Sequence, residues 1–165
     1  MSKTATGSDY DKLTDLIGSI KVAMLTSVDD GHLRSRPMVA AQQDFAGALF
    51  FFTRYESAKA GEVREHSQVN VSYAEPDKQI YVSLSGSAEI IRERAVIEAH
   101  WSEAMRTWFP QGKADPDIAI LKVNVDQAEY WDAPSSAMVY LFGYVKAITT
   151  GKSPHPGENE KLHFA

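Results

Sequence analysis

Cysteine is absent from the 165 residues, which excludes disulfides, thiolate metal sites and cysteine nucleophiles outright. Long apolar runs are missing as well. Stretches such as Ala48 to Phe52 fall far short of the ~20 residues that a membrane-spanning helix needs, so no membrane insertion is expected. The opening residues, Met1 to Leu13, hold no apolar run behind Lys3, so export is not expected, and the lack of cysteine fits a cytoplasmic location. Neither a Walker loop nor a GxGxxG turn occurs. His32, His66 and His100 lack the paired spacing of a zinc site, and His155 and His163 lie in a polar tail, so no metal is expected. A formal charge of -5 disfavours the phosphate attraction on which nucleic-acid binders rely, and no nucleic-acid partner is expected.

What is present is ordinary globular material, 44% hydrophobic and 24% charged. A chain of this length buries roughly 70% of its unfolded surface as one domain. The expected division is a single domain over residues 1–150 and a polar, breaker-rich tail over 151–165, mobile unless a partner holds it. The charge is uneven. Between Arg34 and Arg64 five basic residues face three acids, a local +2 in a chain that is otherwise -7. That imbalance suits a small anion better than a polyanion.

Helical spacing of Leu13, Leu16, Ile17 and Ile20 predicts an opening helix over 9–20, with Ser8 or Asp9 as N-cap. Val22 to Val28, the Asp30-Gly31 turn and Leu33 to Ala41 form a hairpin signal. A second hairpin is the economical reading for Leu33 to Ala41 with Ala48 to Thr53, across the polar connection 42–47. A short helix is expected over Ser57 to His66. Gln68 to Glu75 and Gln79 to Ile91 alternate well and are joined by the turn residues Pro76, Asp77 and Lys78. The spacing of Ile97, Trp101, Met105 and Trp108 predicts one long amphipathic helix from Arg92 to Phe109, stopped by Pro110. A strand follows over 120–131, and Pro134-Ser135-Ser136 offers a cap for a last helix to about Ile148. Short antiparallel strands with helices hung outside argue for a mainly β, α+β fold built on a small barrel.

The most informative stretch runs from Arg34 to Lys59, where basic strand, aromatic strand and a Ser/Lys turn fall within one short unit. Arg36-Pro37-Met38-Val39, then Phe50-Phe51-Phe52-Thr53, then Tyr55, Ser57 and Lys59, then Gln79 to Glu89, and finally Glu129-Tyr130-Trp131-Asp132 resemble the pyridoxamine 5'-phosphate oxidase-like FMN-binding split-barrel family, most of all its general stress protein branch. The likeness extends from about Tyr10 to Lys152. It implies an antiparallel split barrel, a homodimer, and FMN, with FAD as the variant, bound at the subunit interface.

The resemblance places Arg36 and Lys59 at the 5'-phosphate with the hydroxyls of Ser57 and Thr53, a donor set that charge-assisted hydrogen bonding also recommends for a dianion. Family members often carry arginine before that lysine. Here Ala58 stands there, with Arg34 and Arg54 as the available compensation. Pro37, Met38, Val39 and Phe52 are implied to lie along the ribityl chain and ring, Gln79 at the ring edge, and Trp108 toward the partner's flavin. The bland alternatives are core packing for the aromatics and surface roles for Arg36 and Gln79.

The implied function is flavin binding of general stress type with oxidoreductase activity, the redox chemistry being the flavin's own. The rival readings are a non-catalytic flavin-binding or sensing protein and, less well matched, a true pyridoxamine 5'-phosphate oxidase. True oxidases of that kind resemble one another in an Arg-rich ending, where this sequence reads Glu158 to Ala165 without arginine. Slow or absent oxidation of pyridoxamine phosphate is the expectation. The small-molecule redox partner is not legible.

Overall fold

The computed structural model of the chain describes residues 3–41, 44–132 and 158–164. In chain order the elements are β1 (Lys3–Thr4), α1 (Gly7–Gly18), β2 (Val22–Asp29), β3 (His32–Val39), β4 (Ala48–Arg54), α2 (Ala58–Glu65), β5 (Gln68–Glu75), β6 (Ile80–Ile91), α3 (Arg94–His100), β7 (Ile118–Asp132) and β8 (Glu158–His163). Short 3-10 turns occupy Pro76–Lys78, Glu103–Thr107 and Gly112–Ala114.

Local chemistry sets the antiparallel meander. Asp30 and Gly31 take φ values of 48° and 76°, the left-handed pair that a two-residue hairpin turn requires, and join β2 to β3. β5 and β6 turn through the 3-10 segment at Pro76 and through Gln79 at φ 55°. The order β3-β2-β5-β6-β7 is antiparallel throughout, and β4 joins it on the far edge of β7. Inward positions alternate along each strand, as in Ala23, Leu25 and Ser27 of β2 and Val69, Val71 and Tyr73 of β5.

Among the described residues the ring closes at one point only. β3 and β4 share the single bridge Ala40 to Phe51, with the Ala41 amide donating to the Phe50 carbonyl at 2.8 Å. The structure is therefore a split β-barrel with peripheral helices. The hairpin expected between these two strands does not form. β3 spends its ladder on β2 and β4 spends its own on β7, because turn residues fix a local reversal but not which long-range partner a strand takes.

The two ends of β7 have different neighbours on the same edge. Ala48–Arg54 pairs with residues 118–124, and β8 pairs with 127–132. Between them the register against β6 shifts, with Ser85 opposite Gln127 but Gly86 opposite Val125, which leaves Asp126 as an extra residue. The Asp126 carbonyl accepts from the Phe164 amide at 2.9 Å, and the Val125 amide donates to the Gly47 carbonyl at 2.9 Å. The expected mobile tail is thus corrected over 158–163, which forms a strand flanked by β1 in parallel. The expected helix after Pro134 lies outside the described residues.

α1 begins two residues earlier than expected. Its N-cap is Thr6, whose amide donates to the Asp9 carboxylate at 2.8 Å. Leu13, Leu16 and Ile17 of this helix cover the barrel interior, and Tyr10, Phe45 and Phe164 stack beside them with ring centroids 5.1 to 5.8 Å apart.

The long helix expected from Arg92 to Phe109 is also corrected. α3 stops at His100, Trp101 and Ser102 are extended, and Ser102 opens a 3-10 turn instead. Serine competes for backbone hydrogen bonds at such a position, and the Trp101 ring meets Phe52 edge-on at 5.8 Å. The segment after α3 therefore folds back as a flap over β4.

Candidate functional site

Where β3 and β4 part, the strands leave a groove of about 440 Å³. β3 lines it with Pro37, Met38 and Val39, β4 with Phe52, Thr53 and Arg54, and α2 with Lys59. The flap closes the far side with Met105, Trp108 and Phe109, and Val22 completes the rim. Of the residues singled out from the sequence, Pro37, Met38, Val39, Phe52, Thr53, Lys59 and Trp108 meet here. Arg36, Ser57 and Gln79 do not line it.

Ser57 is adjacent. It caps α2 by position, but its hydroxyl donates to the Arg54 carbonyl at 2.6 Å and lies 3.1 Å from the Thr53 hydroxyl. Gln79 stands at the β5–β6 turn, where its amide donates to the Pro76 carbonyl at 2.8 Å. Arg36 points inward from β3, opposite Leu25, and is occupied. It donates to Glu62 at 2.6 Å and to the Ser27 hydroxyl. Arg34 reaches the other Glu62 oxygen at 3.1 Å, and the Ser27 hydroxyl donates to Glu62 as well.

Glu62 is buried, with its side chain 6% exposed. Burial works to raise its pKa. The hydrogen bonds from Ser27 and Arg36, with the charges of Arg36 and Arg34, outweigh that and hold the carboxyl below the usual glutamate range. Lys59, three residues earlier on the same helix, makes no hydrogen bond or ion pair among the described residues. Burial pushes its ammonium below the usual lysine range, Arg36 and Arg34 add to that, and Glu62 opposes it.

Arg54 ties the flap to the barrel. It donates to the Trp108 carbonyl at 3.1 Å, lies 5.2 Å over the Phe109 ring and sits 3.7 and 3.6 Å from Asp115 and Asp117. Trp108 itself remains 60% exposed at the groove mouth. Met105, Phe109 and Val22 were not legible as groove residues, because their apolar spacing reads equally as core. Glu62 left a signal in its i, i+3 spacing from Lys59.

The site thus offers apolar walls, a half-buried cation and two hydroxyls at one end, and an open aromatic edge. No group of three metal-ligating side chains occurs among the described residues. No helix among them is long and apolar enough to cross a membrane.

Residues 8–155 match the model of the family described as pyridoxamine 5'-phosphate oxidase like. Protein bli-3 of Neurospora crassa is 26% identical over 151 residues, 85% of this chain and 72% of that protein. Among solved structures, a protein from Jannaschia sp. CCS1 with the general stress protein 26 designation superposes with a TM-score of 0.76 at 24% identity, over 96% of this chain and all of that one. The general stress FMN/FAD binding protein from Xanthomonas citri gives a TM-score of 0.68 at 28% identity, over 79% of this chain and 93% of that one.

Proposed function

The chain belongs to the pyridoxamine 5'-phosphate oxidase like family, and from that premise we propose that it is a flavin-binding protein of general stress type that seats FMN in the groove along the split. The observation that carries this reading is Lys59, a half-buried ammonium that makes no ion pair or hydrogen bond among the described residues, at one end of an apolar groove. Partial burial of a cation is unfavourable, the charge of Glu62 offsets that only in part, and an arriving phosphate would offset more of it. Lys59 would hold the phosphate, with the Thr53 and Ser57 hydroxyls beside it. Pro37, Met38, Val39 and Phe52 supply walls for the ribityl chain and ring, and Trp108 an aromatic face at the mouth. The groove lies at the small end of the ~300–1,000 Å³ range of ligand pockets, which fits a flat ring left partly uncovered. FAD is the variant ligand, supported by the name of the Xanthomonas citri relative.

When bound, the flavin supplies hydride or electron-pair transfer at its ring, and oxidoreductase activity in this protein would be of that kind. The chain's own contribution is to bind and orient the cofactor and to shield one face from water. Among the described residues, the polar side chains of the groove are those of Thr53, Arg54 and Lys59, with neither carboxylate nor imidazole. The same groove would serve a second reading, a non-catalytic flavin holder or sensor. Re-oxidation kinetics after reduction by a nicotinamide separate the two.

A second copy of the chain is the partner this reading requires. Val22 and Val39 are opposite one another on β2 and β3, and Tyr81 and Trp131 on β6 and β7, all outward and exposed. Val22, Pro37 and Val39 belong to both this apolar surface and the groove rim. A copy docked there would cover the exposed flavin face, giving a homodimer with cofactor at the interface. The cysteine-free composition accords with a cytoplasmic location.

The test is the visible absorption spectrum before and after FMN loading and desalting. Retained flavin at about one per subunit is expected. A colourless protein after loading would leave the family shared in fold alone.

A further inference from the structure

Two guanidiniums share one aromatic ring beside the anion end of the groove. The guanidinium carbons of Arg64, in the last turn of α2, and of Arg92, just past β6, each lie 4.2 Å over Tyr55. Tyr55 stands one residue beyond Arg54, which lines the groove, and two before Ser57, whose hydroxyl is 3.1 Å from that of Thr53. No more than about 8 Å of chain separates Tyr55 from Ser57. Arg92 comes near because β4 and β6 flank the start of β7, with Arg54 opposite Ile118 and Ile91 opposite Ile120.

Each of the two arginines uses one terminal nitrogen on a backbone carbonyl, Arg64 on that of Tyr55 and Arg92 on that of Pro116. Neither pairs with a carboxylate among the described residues, although Glu65 and Glu93 are their neighbours in the chain. Arg54 differs in this, with Asp115 and Asp117 at 3.7 and 3.6 Å. Arg64 and Arg92 are both exposed, and a guanidinium has five N–H donors, so most of their donors face solvent.

Resting on the flavin reading above, we propose that the stack of Tyr55, Arg64 and Arg92 is a subsite for the adenylate half of FAD. The phosphate on which FMN ends is joined in FAD to adenosine monophosphate, so a dinucleotide seated in the groove continues past its anion end. A stacked guanidinium meets both needs of that half. Its edge presents a planar fork to the second phosphate, and its face suits the flat adenine ring. Tyr55 restrains the two long side chains beforehand, which lowers the entropy lost when they bind. The groove then takes the flavin end of FMN and FAD alike, and the choice between them is made at Tyr55.

The experiment is a competition. Protein is equilibrated with FMN and FAD together, and the bound flavins are separated and measured by chromatography. FMN lacks the adenylate half, so the FAD to FMN ratio isolates this subsite from general damage to the groove. Wild-type protein is expected to hold FAD at least as well as FMN. Arg64→Ala with Arg92→Ala is expected to lower the ratio about tenfold, the loss of one charge-assisted hydrogen bond, with FMN affinity unchanged. A role confined to fixing Tyr55 and the end of the flap would weaken both flavins together and leave the ratio as it was, which overturns the inference. Wild-type protein that binds FMN and rejects FAD overturns it as well and leaves the flavin reading standing. Should the alanine variant not fold, Arg64→Lys with Arg92→Lys decides by the same ratio, since lysine keeps a donor for each carbonyl but lacks the planar fork. Protein that binds neither flavin overturns the flavin reading itself, and this inference with it.

Discussion

Gly86 on β6 faces the Asn124 carbonyl of β7 so closely that a Cβ on Gly86 would lie 1.9 Å from that oxygen. The contact falls where the β6–β7 register shifts and Asp126 is extruded. Both sides of it are backbone in the middle of a ladder, so neither can give way. Gly86→Ala is expected to cost roughly 3 kcal/mol, read as a lowered urea midpoint. Gly61 is the contrasting case, since it lies within α2 and a Cβ added there would meet nothing within 4 Å among the described residues. Gly61→Ala should raise stability by about 0.5–1 kcal/mol.

Removing the Arg54 side chain should loosen the flap without unfolding the barrel. The guanidinium holds the Trp108 carbonyl and covers Phe109, while β4 stays paired to β7 over residues 118–124. Arg54→Ala is expected to speed flavin release several-fold and to make the segment 101–117 more readily cleaved by limited proteolysis. Unchanged release and cleavage rates would show that the apolar contacts of Met105 and Phe109 suffice.

Acid should loosen the terminal strands. Lys3 lies 3.1 Å from Asp9 and 2.7 Å from Glu160, and the Tyr130 hydroxyl donates to Glu160 at 2.9 Å. Burial works to raise the Asp9 carboxyl, but hydrogen bonds from Thr6 and Lys3 overcome it, and hydrogen bonds from Lys3 and Tyr130 lower Glu160. Both depressed carboxyls contribute stability that is complete above the ordinary carboxylate range near pH 4 and is lost as pH falls through their folded values. The thermal midpoint should therefore decline steeply below about pH 4, and less steeply in an Asp9→Asn, Glu160→Gln double variant.

Charges of one sign placed on the outer apolar face should keep copies apart. Tyr81 and Trp131 are paired across β6 and β7 and are 38% and 40% exposed. On the homodimer proposed above, Tyr81→Glu with Trp131→Glu is expected to shift the protein from dimer to monomer in sedimentation velocity while leaving its far-ultraviolet circular dichroism unchanged. A dimer that persists would put the contact elsewhere.

Much of this architecture is legible locally. Alternation gives β5 the same bounds, 68–75, in sequence and structure, and Asp30-Gly31 forms the turn its residue types demand. What is not legible is partnership over distance. The polar connection 42–47 looks like a hairpin loop, yet β4 pairs with a strand some seventy residues later. The charged run at 158–163 carries the composition of a tail, and only its seat on the free edge of β7 makes it a strand. Helical spacing from Ile97 to Trp108 hides the break at Ser102, since a 3-10 turn repeats its apolar positions almost as a helix does. The site follows the same pattern. Residues that are neighbours in sequence, Pro37 to Val39 and Phe52 to Lys59, are read as a group, whereas the occupation of Arg36 by Glu62 depends on a helix folding across the barrel mouth.

The division of one edge of β7 between β4 and β8 gives the protein two separately reporting halves of a single strand. Amide exchange over 118–124 registers the wall of the groove, and that over 127–132 registers the clasp made by the chain's two terminal strands. Filling the groove should slow the first far more than the second, while acid that breaks the Lys3, Asp9 and Glu160 contacts should quicken the second. Asp126, unpaired against β6, is the boundary between them, so ligand occupancy and terminal docking can be followed on the same backbone as independent signals.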